Sequence, residues 1–235
     1  MKTMDSLPIE LFYVILEETC IDSLHMILVC KHVCKSWYKV LKKYTKPNCD
    51  AILHDAVKNN HLEVIKWLRQ IGCPWSKYTC NAAAFAGNLE MLRFLIESGC
   101  PKDNGIGTSA LTGGDFPEIL EYCYSIGSKN LEEWIRFTIE DNRIKCFELI
   151  MSKYSNEISE KHRSKLITYL AASHGKLDIL QSAKRFGCGC SPVVYARVIS
   201  GGYRHIFDYL RQEGVKPHDN MLGILADYGC LHWLK

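Results

Sequence analysis

Apolar residues along this chain recur at helical rather than strand spacing. The segments HLEVIKWLRQIG (61–72) and NLEMLRFLIESG (88–99) each set Leu, Val or Met, Ile or Leu, and Leu along one stripe. The stripes are punctuated at regular intervals. Positions 60, 87, 114, 142, 175, 202 and 229 read Asn, Gly, Gly, Asn, Gly, Gly and Gly, with successive gaps of 27, 27, 28, 33, 27 and 27. Asn and Gly are the residues that best tolerate the left-handed backbone that stops a helix at its C-terminal cap. A second stop follows twelve or thirteen residues later at Gly72, Gly99, Gly127, Gly187 and Gly214; the unit around Asn142 lacks it. Four residues before each first stop lies a mostly small residue: Ala56, Ala83, Ala110, Thr138, Ala171, Val198 and Leu225. Five residues after it comes a large apolar one: Ile65, Leu92, Ile119, Phe147, Leu180, Phe207 and Leu234.

The predicted unit is a short helix, a tight turn and a second helix. Such a pair cannot bury its stripe alone, so the units must stack. Proline respects the scheme: Pro74, Pro101, Pro192 and Pro217 fall between units, and Pro117 sits in a first helical turn, where its missing N–H costs little. Asp115 with Glu118 reads as a capping box for that helix. The expected architecture is all-α, a helical-pair solenoid of about seven units over 49–235 with the last truncated. A different helical pattern occupies 1–48.

Composition narrows the function. With 29 basic and 26 acidic residues the net charge is only +3, so no dense basic face points to nucleic acid. No window approaches 18 uninterrupted apolar residues, so no membrane span is expected. Asp5 and Glu10 interrupt the N-terminal run a signal peptide needs; the compartment expected is reducing and cytoplasmic. There, the twelve cysteines read as buried small hydrophobes. Neither Cys30/Cys34, with His25 and His32 nearby, nor Cys188/Cys190 has a second pair to close a zinc site, so no metal or other cofactor is expected.

Enzymatic signatures are missing. The chain has no G-x-S-x-G elbow, H-E-x-x-H motif or Walker loop. Gly105-Ile106-Gly107-Thr108-Ser109-Ala110 mimics a dinucleotide loop but follows a helix and coincides with a repeat junction, so its glycines read as connectors. The run Lys161–Lys165, KHRSK, reads as a solvated helix face with a weak nuclear or acidic-partner signal. No enzyme is expected.

The repeats resemble ankyrin repeats. Ile52-Leu53-His54-Asp55-Ala56 is similar to the ankyrin T-P-L-H-x-A signature. Ala86-Gly87-Asn88-Leu89-Glu90 and His174-Gly175-Lys176-Leu177-Asp178 resemble the family's G-H-L-E turn. The period is 27 instead of about 33, short by the residues that form the protruding hairpin finger, which shifts attention to the exposed face of each first helix. By the resemblance, His54 bonds neighbouring backbone and is structural. Gly-Cys-Pro at 72–74 and 99–101 is a repeat end that resembles the ankyrin proteins of large DNA viruses. That resemblance implies a host cytoplasm or nucleus as the place of action.

Residues 5–45 resemble an F-box: Leu7-Pro8-Ile9-Glu10-Leu11 opens a helix with Ser6 as N-cap, Ile15-Leu16 follow, and Val33-Cys34-Lys35-Ser36-Trp37 closes the pattern. The loosest part of the match is Cys20–Ser23, CIDS. The resemblance implies that Leu7, Pro8, Leu11, Ile15, Leu16, Val33 and Trp37 dock on the adaptor of a cullin–RING ubiquitin ligase, for which the repeats would hold a target protein. The alternative is a helical cap on a scaffold that binds or sequesters a partner without any ligase. For the target contact, bulky or polar groups at outward positions are the candidates: Lys58, Phe85 and Ser173 two residues before their stops, Trp75 and Tyr78 in the first loop, and Tyr203 after a turn. Trp75 is equally placed to fold back over the next repeat.

Overall fold

A computed structural model describes residues 49–70, 72–159 and 166–234; the adaptor-docking candidates and the basic run at 161–165 lie outside them. The regular structure among the described residues is helical throughout. The chain divides into two compact bodies, Met1–Asp103 and Asn104–Lys235. In the first, α1 (Cys49–Lys58) pairs with α2 (Leu62–Gln70), and α3 (Lys77–Phe85) pairs with α4 (Leu89–Glu97). In the second, the pairs are α5 (Ile106–Gly113) with α6 (Pro117–Ser125), α7 (Leu131–Glu140) with α8 (Ile144–Lys153), α9 (Ile167–Ser173) with α10 (Leu177–Arg185), and α11 (Val194–Ser200) with α12 (Arg204–Gln212). There α13 (Met221–Asp227) follows, and after it a 3-10 turn, Leu231–Leu234. First helices pack on first helices, α1 on α3 and α5 through α13 in a row; α6, α8 and α10 make a second row beside it. Each body is a helical solenoid of stacked pairs.

The punctuation works through one hydrogen-bond pattern. Eleven of the twelve expected stops hold a left-handed backbone, with φ from 55° at Asn142 to 88° at Gly72, and no other described residue does. At each, the stop's N–H and the next residue's N–H turn back onto carbonyls of the finished helix. Gly87 N donates to Ala84 O (3.1 Å) and Asn88 N to Ala83 O (3.0 Å); Gly187 N donates to Lys184 O (2.9 Å) and Cys188 N to Ala183 O (3.0 Å). This Schellman geometry satisfies carbonyls the helix end would otherwise leave bare. It also explains why cysteine recurs. Cys73, Cys100 and Cys188 each follow a second-helix stop, where a small buried side chain rests against the last helical turn.

Gly114 is the exception. Its φ of 177° is extended, because this turn is one residue longer, the origin of the gap of 28. The additional residue is Asp115, and it forms no capping box: α6 starts from Phe116 with no side-chain cap. The Asp115 carboxylate instead reaches the next repeat, accepting from Lys145 N (3.0 Å) and Cys146 N (2.9 Å) in the first turn of α8. Arg143 answers in the opposite direction, donating from Nε to Leu111 O at the end of α5 (2.9 Å).

The core follows the register. All seven residues four before a first stop are at most 1% exposed, as are Ile65, Leu92, Ile119, Phe147, Leu180 and Phe207 five after it. Thr138 joins them because its hydroxyl donates to Ile135 O (2.7 Å). Leu234 is half-buried, in the 3-10 turn. A further register position is buried throughout, at Leu53, Cys80, Gly107, Ile135, Thr168 and Tyr195, and within each body it faces the following repeat. Its direction is set by three contacts. A Cβ on Gly107 would stand 2.2 Å from the Trp134 ring in α7. Thr168 Oγ1 donates to Gly189 O (2.8 Å) and Tyr195 OH to Val215 O (3.0 Å), each in the segment leading into the next repeat.

Candidate interaction surface

A surface for a partner must be sought where side chains are not already consumed by the stack. On the second helices they are. Lys153 of α8 pairs with Glu121 of α6. Glu148 of α8 accepts from Ser182 Oγ (2.9 Å) and Arg185 (2.7 Å) of α10, and Lys184 of α10 reaches Glu213 at 3.1 Å. Tyr124 of α6 stacks on Tyr154 beyond α8 with centroids 3.9 Å apart.

The outward positions of the first helices include the bulkier exposed groups. On α3, Tyr78 is 62% exposed and Phe85 is 52% exposed, seven residues apart and so on one face. Asn81 lies between them, and its Oδ1 is buried with no hydrogen-bond partner. Lys58 holds the register place of Phe85 on the neighbouring α1 and is exposed. These residues share the first body. Large exposed aromatic groups are the side chains that anchor protein interfaces.

The other candidates are structural. Trp75 folds back: its indole N–H donates to Ser98 O (3.2 Å) in the next repeat, and the Arg69 guanidinium lies 4.3 Å from the ring centre. Ser173 is half-buried and its hydroxyl donates to Tyr169 O (2.7 Å) of its own helix. Tyr203 fills the space left by two glycines; Cβ atoms on Gly175 and Gly201 would fall 2.6 Å and 2.3 Å from its ring. In the second body, Arg197 Nε donates to the Tyr169 hydroxyl (2.6 Å) across α11 and α9, an outward pair that repeat counting did not single out.

His54 departs from expectation: it is exposed and makes no hydrogen bond among the described residues. Gly107 is no phosphate cradle and no mere connector. It lies inside α5, pressed on the buried Trp134, whose Nε1 has no hydrogen-bond partner.

Burial acts on most of the thiols. Burial pushes Cys123 up to about 12, and burial with the adjacent Asp115 carboxylate raises Cys146 further. Cys100 is lowered, chiefly by a hydrogen bond with Cys80, against the opposing effect of burial. Cys80, Cys100, Cys123, Cys146 and Cys188 are buried free thiols. Cys73 is buried, as the reading of the cysteines as small hydrophobes expects, but it is disulfide-bonded. Among the described residues no three His, Cys, Asp or Glu side chains are grouped to hold a metal, and no helix is long and apolar enough to cross a membrane.

No curated protein matches the chain. Residues 53–96, from Leu53 in α1 to Ile96 in α4, match the family model described as ankyrin repeats (many copies). The matched stretch spans the two helix pairs of the first body, α1 with α2 and α3 with α4.

Proposed function

We propose that this chain is a protein-binding scaffold whose repeats hold a partner on the outward face of the first helices in the first body, and that it serves as the target-binding subunit of a cullin–RING ubiquitin ligase. The observation that carries the binding role is the exposed Tyr78–Phe85 pair on α3, set in an ankyrin-repeat segment, a construction suited to protein partners. The ligase role rests on the F-box resemblance of residues 5–45. In this reading Leu7, Pro8, Leu11, Ile15, Leu16, Val33 and Trp37 dock on the adaptor, and the mechanism is proximity. A held target presents its lysines at high effective concentration to the ligase's charging enzyme, and the chain supplies no catalytic group.

The test is co-purification with the F-box adaptor, beside a folded Leu7→Ala/Pro8→Ala variant. Capture by the unaltered chain, lost in the variant, supports the ligase role. A soluble, folded chain that captures no adaptor leaves the scaffold alone. Tyr78→Ala/Phe85→Ala should then lose targets cross-linked to the unaltered chain while keeping the adaptor, and an unchanged target set would remove α3 from the binding face.

A further inference from the structure

Cys100 holds the register place of Cys73, one residue beyond its stop, and its sulfur meets a second thiol. Cys100 Sγ donates to the carbonyl of Ser76, the N-cap residue of α3, at 3.7 Å, and to Pro101 O at 3.8 Å. It is also hydrogen-bonded to the thiol and backbone of Cys80 and to the Thr79 side chain, in the first turn of α3. Two free thiols, one near the start and one at the end of a single repeat, are thus in contact. Cys80 is 0% exposed and Cys100 is 5% exposed. Residues 101–103, which follow Cys100, are exposed and have no regular structure, so Cys100 is the thiol that solvent reaches first.

The same contacts favour the thiolate there. The hydrogen bond from Cys80 and the nearby Arg69 guanidinium lower the Cys100 pKa against the opposing effect of burial. At Cys123 burial prevails. The thiolate is the attacking species in thiol–disulfide exchange, and a neighbouring arginine promotes it.

We propose that Cys100 and Cys80 form a redox-active dithiol that a low-molecular-weight disulfide, such as glutathione disulfide, converts to an intramolecular disulfide. Cys100 releases its proton to solvent, and its thiolate attacks one sulfur of glutathione disulfide. That S–S bond breaks, one glutathione leaves as a thiolate and takes up a proton, and Cys100 carries the other in a mixed disulfide. Cys80 then gives up its proton and attacks the Cys100 sulfur; the second glutathione leaves and takes up a proton. In sum, two protein thiols are oxidised to one disulfide and one glutathione disulfide is reduced to two glutathione thiols. The new bond ties the first turn of α3 to the segment after α4, two residues from the exposed Tyr78.

The test incubates the full folded chain with glutathione disulfide, quenches in acid, alkylates the remaining thiols under denaturing conditions and maps the peptides by mass spectrometry. The Cys80 and Cys100 thiols should both be lost to alkylation, their peptides joined by a disulfide, while Cys123 and Cys146 still take the label. Cys80→Ser, which keeps a hydroxyl donor beside Cys100, should stop at a glutathione adduct on Cys100. Cys100→Ser should leave Cys80 unmodified. Where circular dichroism shows a serine variant unfolded, the alanine variant at the same position replaces it. Three results would each overturn the proposal: Cys80 and Cys100 still free in the treated chain, no adduct on Cys100 in the Cys80 variant, or a Cys80–Cys100 link that forms as readily in the urea-unfolded chain.

Discussion

Substituting Gly107 by Ala pits two effects of opposite sign against each other. Gly107 is the second residue of α5, where Ala is favoured over Gly by at most the about 1 kcal/mol of a helix interior, so propensity alone predicts a stabilised protein. Packing predicts the reverse. The new Cβ would lie 2.2, 2.4 and 2.6 Å from three atoms of the Trp134 indole, about 1 Å inside ordinary carbon contact at ~3.5 Å. The indole is rigid and fully buried, so either α5 and α7 separate or the ring leaves its rotamer. Overpacking of this kind costs about 3 kcal/mol, for a net loss of about 2 kcal/mol. In a body of this size that lowers the thermal midpoint by about 6–10 °C. Thermal and urea unfolding followed by circular dichroism would measure it. The double variant Gly107→Ala/Trp134→Leu should show strong positive coupling, since the smaller side chain makes room for the methyl group. A Gly107→Ala protein with a raised midpoint would refute the argument, leaving α5 an ordinary helix with a tolerant neighbour.

Removing Asp115 as Asp115→Ala should cost about 2 kcal/mol, for two charge-assisted hydrogen bonds at a helix start, and should speed hydrogen exchange at the Lys145 and Cys146 amides; unchanged exchange would deny the cross-repeat cap. Gly202→Ala, with φ of 73° and nothing within 4 Å, should lose only the left-handed preference of about 1–2 kcal/mol. Gly175→Ala should lose more, because its Cβ also meets Tyr203, and Tyr203→Ala should recover part of that excess. Equal losses at the two glycines would remove the Tyr203 contact from the account. Cys123 provides a pH test. Its folded-state pKa of about 12 lies above the usual 9.0, so the protonated thiol's contribution is complete below pH 9 and is lost as pH rises toward 12. Over that window the stability of Cys123→Ala should fall less steeply than that of the unaltered chain, and parallel curves would show that the thiol does not ionise on unfolding there.

The elements that sequence patterning located are those whose cause is local. A left-handed stop and its two returning N–H groups involve six consecutive residues, so eleven could be read from Asn and Gly alone. The buried small and large positions follow from the same count. What escaped depends on a neighbouring repeat. Asp115 and Glu118 have the spacing of a capping box, yet the carboxylate finds two better donors about thirty residues away at the start of α8. Trp75 and Tyr203 read as outward anchors because both lie beside turns, but a carbonyl at Ser98 claims one and the hollow over two glycines holds the other. Tyr78 and Phe85 were legible as candidates because an exposed position needs no aromatic for folding.

The forward-facing row also bears on how the chain is made. Cross-repeat hydrogen bonds such as Thr168 to Gly189 and Tyr195 to Val215 span only 21 and 20 residues, a topology of low contact order that favours rapid folding. At a translation rate of about 5–20 residues per second, each newly finished pair waits roughly one to five seconds for its successor. During that interval it shows the ribosome surface and any passing chaperone the aliphatic face that its successor later covers. Vectorial synthesis thus exposes one sticky surface at a time.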